Sequence, residues 1–218
     1  MPSPANLANL LAAGVLMTTA MAPAFATPVA TAEPASPPAV SAAYASLYPK
    51  GRVLRVIDYQ GPGGTARQVV LGGDYGPPVL DDKGMNYLRV FGLEGAVTEP
   101  VQAQRWEIKE ASGPLCVIQP LQDLLKVDDP LKSADPVVLV PYWVDCDGLD
   151  PTNVKLIIYY QDRKYALRGT LPNQEGDDIT RTPSANFTEL PAALQQYLWD
   201  YWAKVEKQAR LEHGDPPN

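Results

Sequence analysis

The chain has 218 residues, 45% of them hydrophobic, and a formal charge of −7 with a pI near 4.7. That acidity is poorly matched to phosphate backbones and anionic membranes, where Lys/Arg clusters supply the affinity, and it excludes nucleic acid as a partner. Two cysteines and one histidine are too few for a usual zinc site, and His213 falls in the C-terminal tail, away from the rigid structure that an imidazole catalyst needs.

Leu7 to Met21 is an apolar run, and Ala24-Phe25-Ala26 after it satisfies the small-x-small cleavage rule. Residues 1–26 therefore read as a secretory signal peptide cut after Ala26, which sends the protein to the periplasm or the medium. Its first six residues hold no Lys or Arg, and a membrane anchor is the rival reading. The run is shorter than the ~20 residues of a spanning helix, so no stable membrane span is expected after cleavage. No cysteine follows it for lipoprotein attachment.

Residues 27–47 are rich in Ala, Pro, Ser and Thr, with Glu33 as the one charge. Such a stretch cannot bury a core and is expected to be an extended linker. A single globular domain is expected over 48–212, with a flexible tail at 213–218. Arg52–Tyr59 and Ala66–Leu71 read as a hairpin about Gly61-Pro-Gly-Gly64, and these glycines lack the Gly-Lys-Ser/Thr of a phosphate loop. Tyr87–Leu93 and Ala103–Glu110 are two more strands. In the second, Trp106 and Ile108 alternate with charged residues, the pattern of one wet face. Leu121–Lys126 suits a helical turn. Pro136–Val144 is apolar on both faces and hence central, and Pro141 within it predicts a bulge or a locally unpaired edge.

The densest information lies in residues 142–170. Val154, Leu156, Ile158 and Tyr160 are apolar at alternate positions, as are Tyr165 and Leu167, while Lys164 and Arg168 point the other way. Period two predicts antiparallel strands at 153–161 and 163–170. A turn centred between Asp162 and Arg163 pairs Tyr160 with Tyr165, Ile158 with Leu167 and Leu156 with Gly169. A one-residue slip would set that row against Lys164 and Arg168. Asp-Arg is not a favoured type I′ pair, so a four-residue loop of the same parity is an equal alternative.

A polar loop is expected over 171–187, then the one strong helical pattern. Leu190, Leu194, Leu198, Tyr201, Val205 and Ala209 form an apolar stripe, Pro191 suits the first turn, and Gly214 and Pro216 end it. Asp200–Lys204 and Glu206–Arg210 are i,i+4 pairs assigned to the wet side. Trp199 falls about 140° from the stripe centre at 100° per residue. It is either a partner-binding aromatic or packed under a neighbouring loop.

Few residues invite chemistry. Cys116 and Cys146, the even pair of an exported protein, read as a disulfide; a reactive thiol, the alternative, needs a base, and the one histidine falls in the C-terminal tail. Asp145, Asp147 and Asp150 could offer oxygens to Ca²⁺, but their spacing is not that of an EF-hand and turns are the simpler use. No cofactor is expected. Lys155, Lys164 and Arg168 leave the hairpin on one side and form a candidate basic strip for an anionic sugar or an acidic partner. Otherwise they are a solvated face or pair with local acids.

The runs Asp150-Pro151, Lys155-Leu-Ile157 and Lys164-Tyr-Ala-Leu-Arg-Gly169 resemble the signature of exported bacterial surface polysaccharide biosynthesis proteins. Tyr87-Leu-Arg-Val, Trp106-Glu-Ile, Cys116, Cys146 and the Trp-containing last helix add to the resemblance, which spans most of 52–205. Members often carry an Asp-rich segment before the cysteine strand. Leu131–Pro136 has largely lost it here, so no metal role is carried over. The resemblance implies a cell-envelope setting and no particular reaction.

These readings define an α+β protein, mainly antiparallel sheet, with one disulfide and one C-terminal amphipathic helix packed on the sheet. Its expected function is that of a non-catalytic envelope accessory binding a glycan or a protein. The alternatives are a periplasmic inhibitor or immunity protein against a toxic enzyme, and a carboxylate-dependent glycan hydrolase.

Overall fold

The computed structural model describes residues 44–49, 51–74, 85–95, 103–147 and 149–214. The expected signal peptide, most of the expected linker and residues 215–218 lie outside them. Strands β1 (Arg52–Gln60), β2 (Ala66–Asp74), β3 (Tyr87–Glu94) and β4 (Ala103–Ala111) form an antiparallel meander. The β1–β2 turn uses Gly63 and Gly64 at φ of 70° and 77°, a left-handed backbone that glycine adopts without a Cβ clash.

A second sheet contains β5 (Cys116–Pro120), β6 (Lys126–Asp128), β7 (Val137–Cys146), β8 (Thr152–Tyr160), β9 (Arg163–Leu171) and β10 (Thr180–Pro183), in the order β10-β9-β8-β7-β5. β6 also pairs with β7, beyond the point where β5 ends. Pro141 sits in that gap. It pairs with Leu156 on the β8 side, while on the other side its carbonyl accepts from Leu121, the residue before the short 3₁₀ turn Gln122–Leu124. A proline without an N–H is accommodated where neither flanking strand asks for one.

The β8–β9 pairing keeps the expected parity but is shifted by two residues. Ile158 faces Tyr165, Leu156 faces Leu167 and Val154 faces Gly169. The turn residues are Gln161 and Asp162, with φ of 50° and 57°. Two consecutive left-handed residues match the right-handed twist of the flanking strands. This tight connection brings Arg163 into the ladder opposite Tyr160. The polar loop of 171–187 is also more regular than expected: β10 adds an edge strand to β9, and a 3₁₀ segment follows at Ala185–Glu189.

Helix α1 (Ala192–His213) lies on the second sheet through Leu194, Leu198, Tyr201, Trp202, Val205 and Ala209. The Leu194 and Gln195 N–H groups donate to the Pro191 carbonyl in its first turn, and Gly214 at φ 98° closes it. The opposite face of the same sheet is buried too. Val138, Val140, Ile157 and Tyr159 pack against Val69, Leu71, Val90 and Ile108 of the first sheet, and Trp106 stacks on Tyr159 with centroids 4.1 Å apart. At roughly 1.5–3 kcal/mol for each fully buried aliphatic side chain, this double-sided burial is the main stabilising contribution.

Three local expectations are corrected. Composition extends the linker through residue 47, yet Tyr44 within it is buried beside Tyr48 on Val70, Phe91 and Leu93. Tyr48 donates its hydroxyl to the Arg89 or Val70 carbonyl, 2.9 and 3.0 Å away, and Arg89 donates to the Leu47 carbonyl. Two large tyrosines with polar tips can cover the outer face of the first sheet and still hydrogen-bond. His213, assigned to the solvated tail, is the last helical residue and packs edge-on to Trp143. Glu206, placed on the wet side, is buried at 9% exposure and accepts two bonds of 2.8 Å from Arg181 of β10. The edge strand turns that flank of the helix into an interface.

Candidate functional site

At the turn end of the β1–β2 hairpin lies a hollow of about 450 Å³, lined by Asp58, Tyr59, Gln60, Arg67 and Gln68 together with Gly64, Ala66 and Gly95. Strand pairing builds it. Asp58 faces Gln68 and Tyr59 faces Arg67 across β1–β2, and Arg67 faces Glu94 across β2–β3. Small residues at 64, 66 and 95 keep the opening clear. Gly61 lies against Arg67: a Cβ there would fall 2.5 Å from Arg67 Nε, so a larger residue would push the guanidinium aside.

The polar groups are held in place. Gln68 is 2% exposed, donates to Asp58 Oδ1 and accepts from the Tyr44 hydroxyl at 2.9 Å. Arg67 pairs with Glu94 at 3.4 Å and approaches Asp162 at 4.0 Å. Arg105 pairs with Glu94 at 3.2 Å and with Asp162, whose carboxylate raises the Arg105 pKa above its ordinary value. Since Asp162 belongs to the β8–β9 turn, this network joins the two sheets beside the hollow. Burial pushes the Tyr59 phenol above its usual range, with Arg67 opposing that shift. Tyr59 is therefore a neutral donor and acceptor at physiological pH.

The basic strip divides. Lys155, Lys164 and Arg168 do share a face, but buried Ile157 and Ala166 lie between the Lys155–Arg168 pair and Lys164. Four residues at about 3.3 Å each put the two groups roughly 13 Å apart along the strands. Lys155 donates to Glu110 at 2.9 Å, and the same carboxylate oxygen accepts from Tyr142 at 2.7 Å. Lys164 and Arg168 are exposed. Trp199 is half-buried with its ring 5.8 Å from Phe187, so it packs under the 3₁₀ segment.

Cys116 and Cys146 form the disulfide, between the terminal paired residues of β5 and β7. The aspartates beside it do separate work. Asp145 accepts from Thr152 and Asn173 at 3.0 and 2.9 Å, and its other oxygen lies 3.7 Å from His213 Nε2. Asp147 accepts from the backbone of Leu149 and, at 3.5 Å, Asp150, a side-chain-stabilised turn. Among the described residues no group of three or more His, Cys, Asp or Glu side chains is arranged to hold a metal. Leu131–Pro136 follows Asp129, whose carboxylate accepts from Ser133 and Ala134 and stabilises that loop.

The hollow was not legible beforehand. Asp58, Gln60, Arg67 and Gln68 look like ordinary strand residues, and only the glycine-rich turn marked the place. No family model matches the chain, and neither the curated proteins nor the solved structures contain a significant match. Among the described residues no helix is long and apolar enough to cross a membrane. The disulfide is consistent with an extracellular protein.

Proposed function

We propose that this is an exported, non-catalytic accessory protein of the cell envelope that binds a neutral glycan in the hollow at the β1–β2 turn. The lining of that hollow carries the reading. Asp58, Gln60 and Gln68 offer carboxylate and amide groups at the hairpin end. Such a set suits a polyhydroxyl ligand, which needs donors and acceptors in one place. The volume, about 450 Å³, falls within the roughly 300–1,000 Å³ of small-molecule sites.

Charge favours a neutral sugar over an anionic one. The lining carries one carboxylate, Asp58, and one guanidinium, Arg67, and that guanidinium is already paired with Glu94. No net positive charge is left there to hold an anion. The leader-like residues 1–26, the resemblance at Lys164–Gly169 to surface polysaccharide biosynthesis proteins and the disulfide support a periplasmic or secreted setting.

Calorimetric titration of the mature chain with neutral oligosaccharides released from the envelope tests this. Saturable binding is expected, weakened about fivefold by Gln60→Ala for one lost hydrogen bond, with Tm unchanged because Gln60 is exposed. No binding to any neutral glycan, or binding by Gln60→Ala as tight as that of the unaltered chain, would overturn the reading. So would release of cleaved sugar, which would make the protein a hydrolase.

A further inference from the structure

A second surface lies at one end of the six-stranded sheet, where β5 and β7 join the disulfide, β7 turns into β8 and β9 loops to β10. Three large apolar side chains stand exposed there: Leu115 at 50%, Leu149 at 66% and Ile179 at 48%. Strand pairing places them on one rim. Leu115 precedes Cys116, which pairs with Cys146; Leu149 is in the β7–β8 turn; Ile179 precedes Thr180, which pairs with Thr170. From β5 to β10 the rim crosses four strand spacings, about 19 Å at roughly 4.8 Å each. The one other exposed large apolar residue described, Leu211, is two residues from the end of α1.

Carboxylates separate these residues. Asp147, Asp150, Glu175 and Asp178 are exposed on the same two connections. Acids elsewhere are commonly matched by cations, as Glu94, Glu107, Glu110, Asp162 and Glu189 are. Among the described residues, none of the four rim acids belongs to an ion pair. The rim is also braced. Asn173 donates to Asp145 and to the Asp150 carbonyl, Gln174 donates to the Leu149 carbonyl, and Asp177 accepts from the backbone of Asn173 and Gln174. Side chains held by neighbouring backbone lose little entropy on binding.

We propose that this rim docks a partner protein whose contact face is cationic and apolar, with Leu149 and Ile179 as its anchors. Exposed apolar side chains on a braced rim mark an interaction surface, and the unpaired carboxylates select the sign of the partner. A second copy of this chain fits poorly, because a two-fold interface would set the same carboxylates against one another. An anionic membrane is disfavoured for the same reason. The docking rim is distinct from the sugar-binding hollow and does not depend on it.

The test uses the full chain with its leader, expressed in its own cells, with a photo-crosslinking amino acid at Leu149 or Ile179 and a control at Lys204 on the exposed side of α1. The expected result is one dominant adduct from the two rim positions. Its cross-linked peptide, mapped by mass spectrometry, should lie in a Lys/Arg-rich face with apolar residues. Asp150→Lys combined with Glu175→Lys and Asp178→Lys should reduce that adduct about tenfold or more, with an unchanged Tm. The Leu149→Ser and Ile179→Ser pair should weaken the purified complex without loss of fold. Adducts to this chain itself, to an acidic or neutral face, or no stronger at the rim than at Lys204, would each overturn the proposal.

Discussion

Replacing Glu206 with alanine is expected to destabilise the fold more than a charged helical residue ordinarily would. Its carboxylate accepts from Arg181 Nε and Nη2 at 2.8 Å each, from Trp202 Nε1 at 3.2 Å and from Arg210 at 3.4 Å. Trp202 is 3% exposed, so its indole N–H would lose its acceptor with no access to water, at about 1–3 kcal/mol. The Arg181 side chain is 53% exposed and can be resolvated, so that pair adds at most about 1 kcal/mol. The total, about 1–4 kcal/mol, lowers Tm by roughly 2–16 °C for a domain of this size.

The sign of the pH dependence follows from the same contacts. Hydrogen bonding from Arg181 lowers the Glu206 pKa below its ordinary 4.5, against the opposing effect of burial. A carboxylate with a depressed folded value contributes stability that is complete above the unfolded value and disappears as pH falls through the folded one. The gap between wild type and Glu206→Gln in urea denaturation should therefore be full at pH 6–7 and shrink below about pH 4.5. A loss under about 0.5 kcal/mol for Glu206→Ala, or a gap to Glu206→Gln that does not change with pH, would refute this account.

Three other perturbations test separate parts of the fold. Reducing the Cys116–Cys146 bond, which closes a loop of sequence separation 30, should cost about 3–4 kcal/mol by the chain-entropy estimate, read from urea curves with and without reductant. An unchanged midpoint would show that this loop is already constrained in the unfolded chain. Lys155→Ala should cost about 1–2 kcal/mol, because it leaves the Glu110 carboxylate with Tyr142 alone beside the sheet interface; a neutral result would mean the ion pair is solvated. Gln161→Asn should raise Tm by a degree or two, since asparagine tolerates the left-handed turn position better than glutamine. A lower Tm would indicate that the Gln161–Asp135 hydrogen bond outweighs the backbone term.

Local pattern determined the elements. Alternation in Val154–Tyr160 and Tyr165–Leu167 set which residues share a face, and parity survived even though the ladder is shifted by two. The 3.6-residue stripe Leu194–Ala209 set the buried side of the helix. The even cysteine pair indicated the bridge. Each of these depends on side-chain period or chemistry within a short span, so the chain itself encodes it.

Tertiary structure decided what lies opposite each face. By period alone Lys155 belongs to a wet row, because nothing in its neighbourhood announces a second sheet; packing of β3 and β4 over Ile157 and Tyr159 brings Glu110 to it instead. Glu206 looks solvent-facing by helical period, and only the edge strand carrying Arg181 buries it. His213 meets Asp145 across 68 residues of sequence, and Asp162 joins Arg67 and Arg105 through the packing of one sheet on the other. Burial and charge pairing are properties of contacts between distant segments, so a pattern read along one segment cannot supply them.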